Sequence, residues 1–162
     1  MSNSIARPHS GIWYYGLSGS GKTRASKISN ARLERGFLLD GDNIRQHLSY
    51  DLGYSPTDRS IQLNRLLGLT KIVLDNGYFP IVSSVTMTEK ILKSCIALKI
   101  NVIEINRNPR QLLEVRSLYQ NDEHVVGKDI PFKSFDTLKI YNCGTPNFDD
   151  KIKEHMEQYV RI

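Results

Sequence analysis

The sequence predicts an α/β fold, a five-stranded parallel sheet with helices on both faces, on three observations. Short apolar stretches alternate along the chain with longer stretches in which apolar residues recur at helical spacing. Glycine or proline stands near most of the boundaries between them. A glycine-rich pattern that binds phosphate lies between the first apolar stretch and the first helical one. The length of 162 residues fits one domain over 1–162 with a core of its own.

The first strand is predicted at 12–16, where an apolar and aromatic run leads into Gly16-Leu-Ser-Gly-Ser-Gly-Lys-Thr23. This loop fits the pattern G-x-x-x-x-G-K-[ST], and a strand before it and a helix after it are the context that the pattern requires. The alternative is a glycine loop that matches by chance. Backbone N–H groups of such a loop and the positive end of the next helix suit phosphate oxygens. Lys22 can reach the β- and γ-phosphates of ATP, and the Thr23 hydroxyl can bind Mg²⁺. The sequence therefore predicts a P-loop NTPase fold, with ATP-binding residues Gly16, Ser18, Gly19, Ser20, Gly21, Lys22 and Thr23.

Strands and helices then alternate along the rest of the chain. The first helix is predicted at 24–35, with Gly36 as the C′ glycine that ends it. A long helix is predicted from an N-cap at Ser55 to the residue before Gly77. Its expected apolar side consists of Ile61, Leu66, Leu69, Ile72 and Val73. The other strands are predicted at 37–40, 79–84, 101–106 and 137–141, and the other helices at 43–48, 88–98, 109–118 and 148–159. Residues 119–136 show no periodicity.

Charge and composition limit the classes of partner. The net charge of +5 favours an anionic ligand, which a nucleotide satisfies as well as a nucleic acid does. No run of five Lys or Arg residues occurs, so no nucleic-acid partner is predicted. Cys95 and Cys143 form no C-x-x-C pair, which fits reduced thiols in the cytoplasm. No secretory signal and no stretch of 18 apolar residues is seen, so no membrane partner is expected.

Acidic and hydroxyl side chains follow two of the predicted strands. Asp40 and Asp42 flank a glycine after the second strand, and Ser83 ends the third. Because ligands of parallel sheets bind at the carboxyl ends of the strands, these residues are expected to lie near the glycine loop. Phosphoryl transfer needs Mg²⁺ beside the phosphates and a carboxylate that orients or deprotonates the attacking hydroxyl. Asp40 and Lys22 are therefore the candidate catalytic residues, and Asp40 is also a candidate metal ligand; the alternative for Asp-Gly is a plain turn.

The chain resembles the adenylylsulfate kinase family in three stretches. They are Gly16-Leu-Ser-Gly-Ser-Gly-Lys-Thr23, then Leu39-Asp-Gly-Asp-Asn-Ile-Arg45 continuing through Asp51-Leu-Gly-Tyr-Ser55 to Asp58-Arg59, and Gly127-Lys-Asp-Ile-Pro-Phe132. The resemblance implies a P-loop kinase that uses MgATP to phosphorylate the ribose 3′-hydroxyl of adenylyl sulfate. It also implies a short lid at about 119–136, expected to order over bound nucleotide. A homodimer is an arrangement that the sequence leaves open.

The resemblance further implies a role for individual residues. Asp40 and Asp42 would lie beside the acceptor hydroxyl, and Arg45 and Arg59 would hold the phosphate of the acceptor. Tyr54 would stack on the acceptor base. The predicted substrate-binding residues are Asp40, Asp42, Arg45, Tyr54, Arg59, Gln62, Ser83, Val125 and Lys128, and Arg116 would lie near ATP.

The sequence departs from the family pattern on the acceptor side. Gln62 and Asn64 stand where the family has Asn and Arg, and Val85-Thr-Met-Thr88 follows the third strand where the family has F-I-S-P-Y. Glu123-His-Val-Val-Gly127 replaces the family's K-G-F-T-G, which removes a lysine and a phenylalanine. Stacking of a base on an aromatic ring is worth about 1–3 kcal/mol. These changes point to an acceptor with a smaller base or a less anionic 5′ end.

Four interpretations of the function follow. The first is a kinase acting on a nucleotide with a 5′ anhydride, for which cytidine diphosphoramidate of a capsule-sugar pathway is a candidate acceptor. The second is a true adenylyl sulfate kinase. The third is a small-metabolite kinase of the gluconate type, which would not share Asp40-Gly-Asp-Asn-Ile-Arg45. The fourth is a nucleotide-binding regulatory protein, although the N-K-x-D motif of GTPases does not occur.

Overall fold

The computed structural model describes residues 9–115 and 118–160. Five strands form one parallel sheet in the order β2-β3-β1-β4-β5. The strands are β1 Gly11–Tyr15, β2 Gly36–Asp40, β3 Phe79–Ser84, β4 Ile100–Asn106 and β5 Leu138–Tyr141. The helices are α1 Lys22–Asn30, α2 Gly41–His47, α3 Pro56–Asp75, α4 Glu89–Ala97, α5 Pro109–Val115, α6 Leu118–Asn121 and α7 Asn147–Val160. The predicted α/β fold is confirmed.

The central strand β1 explains why helices cover both faces of the sheet. Its side chains point alternately to opposite faces, as in any strand. Trp13 and Tyr15 pack in one core cluster with apolar residues of α3 and α4. Ile12 and Tyr14 pack in a second cluster with apolar residues of α1 and α7. Because all four side chains are fully buried, the strand is a continuous apolar run in the sequence.

The long helix α3 begins and ends as the sequence predicts. The Ser55 hydroxyl accepts a hydrogen bond from the Asp58 N–H group at 3.2 Å, and Pro56 occupies the first turn. At the other end, Gly77 has a φ of 73° and donates to the Leu74 carbonyl, and Tyr78 donates to that of Val73. These two bonds form the Schellman motif.

The buried side of α3 differs from the predicted one. Ile61 and Ile72 are 39% and 58% exposed. The buried stripe instead consists of Gln62, Leu63, Leu66, Leu67, Thr70 and Val73. At 100° per residue, Ile61 and Ile72 lie well away from the line that joins Leu66 to Val73. Leu66 and Val73 are buried as predicted, whereas the prediction was wrong for Ile61 and Ile72, because the polar Gln62 and Thr70 belong to the stripe instead.

The end of α1 is a second correction. The helix stops at Asn30 and not at Arg35, and Gly36 is the first residue of β2, not a C′ glycine. Pairing with β3 begins early, since the Phe79 N–H group donates to the Arg35 carbonyl at 2.7 Å. Residues 31–35 must therefore turn the chain back toward the sheet. A Cβ atom at Gly36 would also meet the end of the Asn30 side chain, which would have to move to make room for it.

The segment 119–136, predicted without periodicity, carries more structure than expected. Its start belongs to α6, and a single bridge joins Val126 to Ile130. Phe132 and Phe135 pack against Tyr15, with ring centroids 6.1 and 6.3 Å away. This segment therefore rests on the carboxyl end of β1. Within the described ranges, no helix is both long and apolar enough to cross a bilayer.

Candidate active site

A cavity of about 920 Å³ opens at the carboxyl ends of the first three strands. The glycine loop lies on one side of it, and α2, α3 and residues 122–126 lie on the other. The predicted site residues that line it are Ser18, Gly19, Gly21, Lys22, Thr23, Asp40, Asp42, Arg45, Tyr54, Arg59, Gln62, Ser83 and Val125. Strand order explains the convergence, because β2, β3 and β1 are neighbours and end at one edge.

The loop 16–23 has the backbone geometry of an anion site. Gly19 and Gly21 have φ values of 82° and 110°, which favour glycine. At Gly16 a Cβ atom would collide with the Ile105 carbonyl oxygen, so the loop passes close to β4. Helix α1 begins at Lys22 without a side-chain cap on its first turn. The N–H groups and dipole of that turn therefore face the cavity side where phosphate would bind.

Lys22 lies across the loop. Its side chain is only 9% exposed, and its Nζ atom donates to the Leu17 carbonyl at 2.9 Å. The same carbonyl accepts the Ser20 N–H group at 3.0 Å. These bonds hold the ammonium group over the concave side of the loop, within a cavity that it also lines.

Asp40 is held by donors from three elements. Its Oδ1 atom accepts bonds from the Ser83 hydroxyl at 2.5 Å and from the Thr23 hydroxyl at 3.2 Å. Its Oδ2 atom accepts the Asn43 N–H group at 3.4 Å, which makes Asp40 the N-cap of α2. Asp40 and Ser83 are register partners at the ends of β2 and β3. The turn interpretation and the catalytic one are thus compatible, because the capping carboxylate also faces the cavity.

Two arginines flank Tyr54 on the side of the cavity opposite the glycine loop. The guanidinium of Arg45 lies 4.6 Å from the ring centroid of Tyr54, and that of Arg59 lies 5.4 Å from it. Arg45 also donates to the Gly53 carbonyl at 2.6 Å. Burial, and next the charge of Arg45, lower the pKa of Arg59, because a second cation nearby disfavours its charged form. Two cations held this close favour an anion between or beside them.

A sequence model of the family described as adenylylsulphate kinase matches residues 9–117, well over half of the chain. The chain belongs to the adenylylsulphate kinase family. An adenylyl-sulfate kinase of Prochlorococcus marinus is 46% identical over 70 residues, which cover 41% of this chain and 35% of that protein. The bifunctional enzyme CysN/CysC of Mycobacterium tuberculosis is 38% identical over 79 residues, 46% of this chain and 13% of that protein. The matched part thus spans about a third or less of these relatives.

A solved structure extends the likeness to the whole fold. The structure of the Mycobacterium tuberculosis APS kinase CysC in complex with AMPPNP and APS superposes with a TM-score of 0.81. The match covers 92% of this chain and 96% of that one, at 23% identity. It supports the predicted P-loop NTPase fold of an adenylylsulphate kinase.

Where the chain departs from the adenylylsulphate kinase pattern, the structure places several of the changed residues on the cavity wall, but not Asn64, which is exposed and donates to the Ser60 carbonyl. Val125 is 5% exposed and lines the cavity, and Glu123 lines it beside Val125. Gln62 is buried and donates to the Gly41 carbonyl at 3.2 Å. Val85 and Thr86, which follow β3, also line the cavity. The cavity wall therefore contains substitutions that distinguish this chain from the family pattern.

Three of the predicted site residues, Gly16, Ser20 and Lys128, do not line the cavity. The Nζ atom of Lys128 donates to the Asp122 carbonyl at 2.9 Å, and Lys128 is not among the residues that line the cavity. Gly16 and the fully buried Ser20 belong to the phosphate loop but lie on its side away from the cavity. A fourth predicted residue, Arg116, lies outside the described residues.

Sequence reasoning missed the residues that support the loop from the other side. A second cavity of about 340 Å³ is lined by Arg107 and Asn142, among others. Arg107 donates to the Gly19 carbonyl at 3.2 Å, and Asn142 donates to that of Ser20 at 2.7 Å. Both residues directly follow a strand, β4 and β5. The rule that led to Asp40 and Ser83 could therefore have found them.

Proposed function

We propose that this chain is a kinase that transfers the γ-phosphoryl group of ATP to the ribose 3′-hydroxyl of a nucleotide with a 5′ anhydride. One observation carries the proposal. Lys22, Thr23 and Asp40 share a single cavity with Arg45 and the other acceptor-side residues. The cavity therefore offers a phosphate-binding loop and a second anion-binding wall on either side of one carboxylate.

The donor set at the loop fits Mg²⁺. The Thr23 hydroxyl and the Asp40 carboxylate are hard oxygen donors, joined by a hydrogen bond of 3.2 Å. Among the described residues no cluster of three His, Cys, Asp or Glu side chains could hold a metal ion. That arrangement suits Mg²⁺, which is usually held by one or two protein oxygens, waters and the substrate's phosphates. Thr23 and Asp40 would hold the ion, which when bound neutralises charge on the phosphates of ATP.

The chain's own residues supply the rest of the chemistry. Lys22 and the first turn of α1 stabilise negative charge on the transferring phosphoryl group. Asp40 orients the acceptor hydroxyl and takes its proton as the new O–P bond forms and the bond to the ADP oxygen breaks. The Ser83 hydroxyl donates to the Oδ1 atom of Asp40 and so fixes the orientation of that carboxylate.

The acceptor wall favours cytidine diphosphoramidate. Glu123 lines the cavity where the family pattern has a lysine, so a sulfate end, which has no N–H donor, would meet a negative charge. At about 4 Å this repulsion amounts to about 1–4 kcal/mol between partly exposed groups. Val125 stands where the family pattern has phenylalanine, so a base held by Tyr54 lacks a second aromatic face. A pyrimidine loses less than a purine from that change, and the NH₂ group of a phosphoramidate end can donate a hydrogen bond to the Glu123 carboxylate, which offsets the repulsion.

Adenylyl sulfate itself is the second candidate acceptor. The family match and the adenylyl-sulfate kinases among the relatives favour it. The same Asp40, Arg45 and Arg59 would serve both acceptors, so the two candidates differ only at the wall formed by Glu123 and Val125.

The test compares kcat/KM for the two acceptors on one preparation with MgATP. We expect cytidine diphosphoramidate to be preferred. Glu123→Lys should raise kcat/KM for adenylyl sulfate about tenfold, because a repulsion becomes an attraction. Glu154→Lys on α7 is the matched control, since it makes the same charge change at an exposed position far from the wall.

A clear preference of the wild-type protein for adenylyl sulfate would reject the acceptor assignment and leave the kinase assignment standing. Turnover with a sugar acid and with neither nucleotide would favour the small-metabolite kinase. Tight ATP binding without turnover on any acceptor would favour a regulatory protein.

A further inference from the structure

Gln62 is one of two polar residues in the buried stripe of α3, and it is 4% exposed. The other, Thr70, has its hydroxyl bonded to the Leu66 carbonyl of the same helix at 2.7 Å. Gln62 bonds outside its helix, since its Nε2 atom donates to the Gly41 carbonyl at 3.2 Å. Among the described residues, no group donates a hydrogen bond to its buried Oε1 atom. A buried amide oxygen without a donor is costly, so its place in the structure needs a reason.

The bond to Gly41 determines which way the amide of Gln62 faces. Gly41 packs closely against the end of β3, because a Cβ atom there would lie 2.7 Å from the Ser83 carbonyl oxygen. A flipped amide would set its own oxygen against the Gly41 carbonyl, so the NH₂ group stays on Gly41 and Oε1 lies on the other side. Gln62 also lines the large cavity. A group bound in that cavity can therefore supply the donor that Oε1 lacks.

The neighbours of Gln62 identify the part of an acceptor that would meet it. Gly41, to which it bonds, directly follows Asp40, the residue proposed to take the proton of the 3′-hydroxyl. Arg59, proposed to hold the acceptor's phosphate, lies three residues earlier on α3, and residues three apart share a helix face. In a nucleotide, the ribose joins the 3′-hydroxyl to the 5′-phosphate. Gln62 is thus next to the residues proposed for both ends of the ribose.

We propose that the Oε1 atom of Gln62 accepts a hydrogen bond from the ribose 2′-hydroxyl of the acceptor and so selects ribonucleotides over 2′-deoxyribonucleotides. This role rests on the proposed function, and it holds for either candidate acceptor, since both are ribonucleotides. The 2′-hydroxyl stands on the carbon next to the one that carries the 3′-hydroxyl, and it can donate. With a 2′-deoxy acceptor, Oε1 stays buried without a donor. A site built in this way rejects the analogue that lacks the hydroxyl.

The test measures kcat/KM for the nucleotide that the wild type phosphorylates and for its 2′-deoxy analogue, at saturating MgATP. We expect the wild type to prefer the ribonucleotide about ten- to hundredfold, because the analogue leaves a buried oxygen unpaired. Gln62→Met keeps the length of the side chain without an N–H donor or a strong acceptor, and its preference should fall to within about threefold. Gln46→Met makes the same change at an exposed position of α2 that does not line the cavity, so it should keep the wild-type preference.

Comparing the ratios of the three proteins separates recognition of the 2′-hydroxyl from a structural role. Removing the 2′-hydroxyl also changes the reactivity of the 3′-hydroxyl, but this effect is common to all three proteins and cancels between them. Loss of the bond from Gln62 to Gly41 should lower kcat for both acceptors equally, because it loosens the backbone next to Asp40. A second measurement needs no variant and no chemistry. The dissociation constants of the two acceptors from the wild type, measured by calorimetry without ATP, should differ in the same direction.

Wild-type ratios within about threefold, in both kcat/KM and affinity, would overturn the inference even if Gln62→Met failed to fold. An unchanged preference in a folded Gln62→Met would overturn it as well. A third acceptor carries a base without its exocyclic amino group, uracil for cytosine or hypoxanthine for adenine. If Gln62→Met changed only the discrimination against this third acceptor, Oε1 would read the base and the assignment to the 2′-hydroxyl would be wrong. These outcomes leave the kinase assignment standing, whereas failure of the wild type to phosphorylate any nucleotide would overturn the proposed function and this inference with it.

Discussion

Single side chains decide the chemistry at the centre of the cavity. Asp40 caps α2, bonds to Ser83 across the sheet, and bonds to Thr23 at the start of α1. One carboxylate therefore fixes the relative placement of three elements and faces the cavity. Its structural and chemical roles can be separated, because asparagine caps helices as well as aspartate does.

Replacing Asp40 by Asn should lower kcat about 10²–10⁴-fold, the usual contribution of a general base. The free energy of unfolding should change by less than about 1 kcal/mol, because asparagine keeps the shape and the capping oxygen. Steady-state kinetics and urea denaturation of the same sample measure both. Asp42→Asn, in the same cavity, is the comparison. A larger loss of kcat in Asp42→Asn would assign the proton acceptor to Asp42 instead.

Lys22→Ala should lower kcat about 10²–10³-fold, since it removes a positive charge from the place where negative charge develops. Lys27→Ala, at an exposed position on the same helix, should keep full activity and controls for helix effects. Turnover rates at saturating MgATP measure the difference. Undiminished turnover in Lys22→Ala would contradict the role of the loop as the ATP site.

At the scale of elements, a feature could be predicted from the sequence when the residues that determine it lie close together along the chain. The loop, the ends of α3 and the position of Asp40 could be predicted because short-range patterns determine them. The end of α1 could not, because the pairing of β2 with β3 sets it. The hydrogen bond between Arg59 and His124 joins residues 65 positions apart, and that between Tyr119 and Ser18 joins residues 101 positions apart. No local sequence pattern predicts either bond.

Glu104 in β4 illustrates the same limit. It is 1% exposed in a stretch that the sequence predicts as an apolar strand, and it accepts bonds from Tyr15 at 3.1 Å and from Ser134. Lys139 lies 3.5 Å away. The Phe135 N–H group donates to the Tyr15 hydroxyl at 3.1 Å, and burial raises the pKa of that tyrosine. These bonds join the end of the segment 119–136 to the strand that leads into the phosphate loop.

Glu104→Gln should lower the free energy of unfolding by about 1–3 kcal/mol, because the amide NH₂ group must face donors and leaves bonds unmade. Hydrogen exchange at residues 132–137 should also become faster. Urea denaturation measures the first effect, with the exposed Glu154→Gln as control. A change no larger than the control's would mean that the segment is held by Phe132 and Phe135 alone.

For the molecule as a whole, ligand-binding groups gather at the carboxyl edge of the sheet, and a different set of side chains closes the opposite edge. There, the buried Tyr159 of α7 accepts a bond from Asn101 at 3.0 Å and lies 3.2 Å from the Nδ1 atom of His9. The ring of His155 lies 5.7 Å from that of Tyr159. With Asn101 as donor to the phenol oxygen, the Tyr159 hydroxyl donates to a neutral His9. Stability at this edge is thus linked to the protonation of two histidines.

Stability should fall as the pH drops from about 7 to 5. Burial lowers the pKa of His9, and burial and then the charge of His9 lower that of His155, relative to the ordinary value of 6.5. Groups with a lowered pKa bind fewer protons in the folded state than in the unfolded state. Their stabilising contribution is therefore present above pH 6.5 and is lost as the pH falls through their folded pKa values.

Melting temperatures between pH 8 and pH 5 measure this effect, with His155→Gln compared with the wild type. The variant should lose part of the decrease, because one of the two coupled histidines no longer takes up a proton. His47→Gln on α2, an exposed position, should keep the full decrease. The proposed kinase site lies at the other edge of the sheet, so acceptor preference should be unchanged in His155→Gln at pH 8. An identical slope in all three proteins would mean that these histidines do not link stability to pH, and that carboxylates elsewhere set the acid limit.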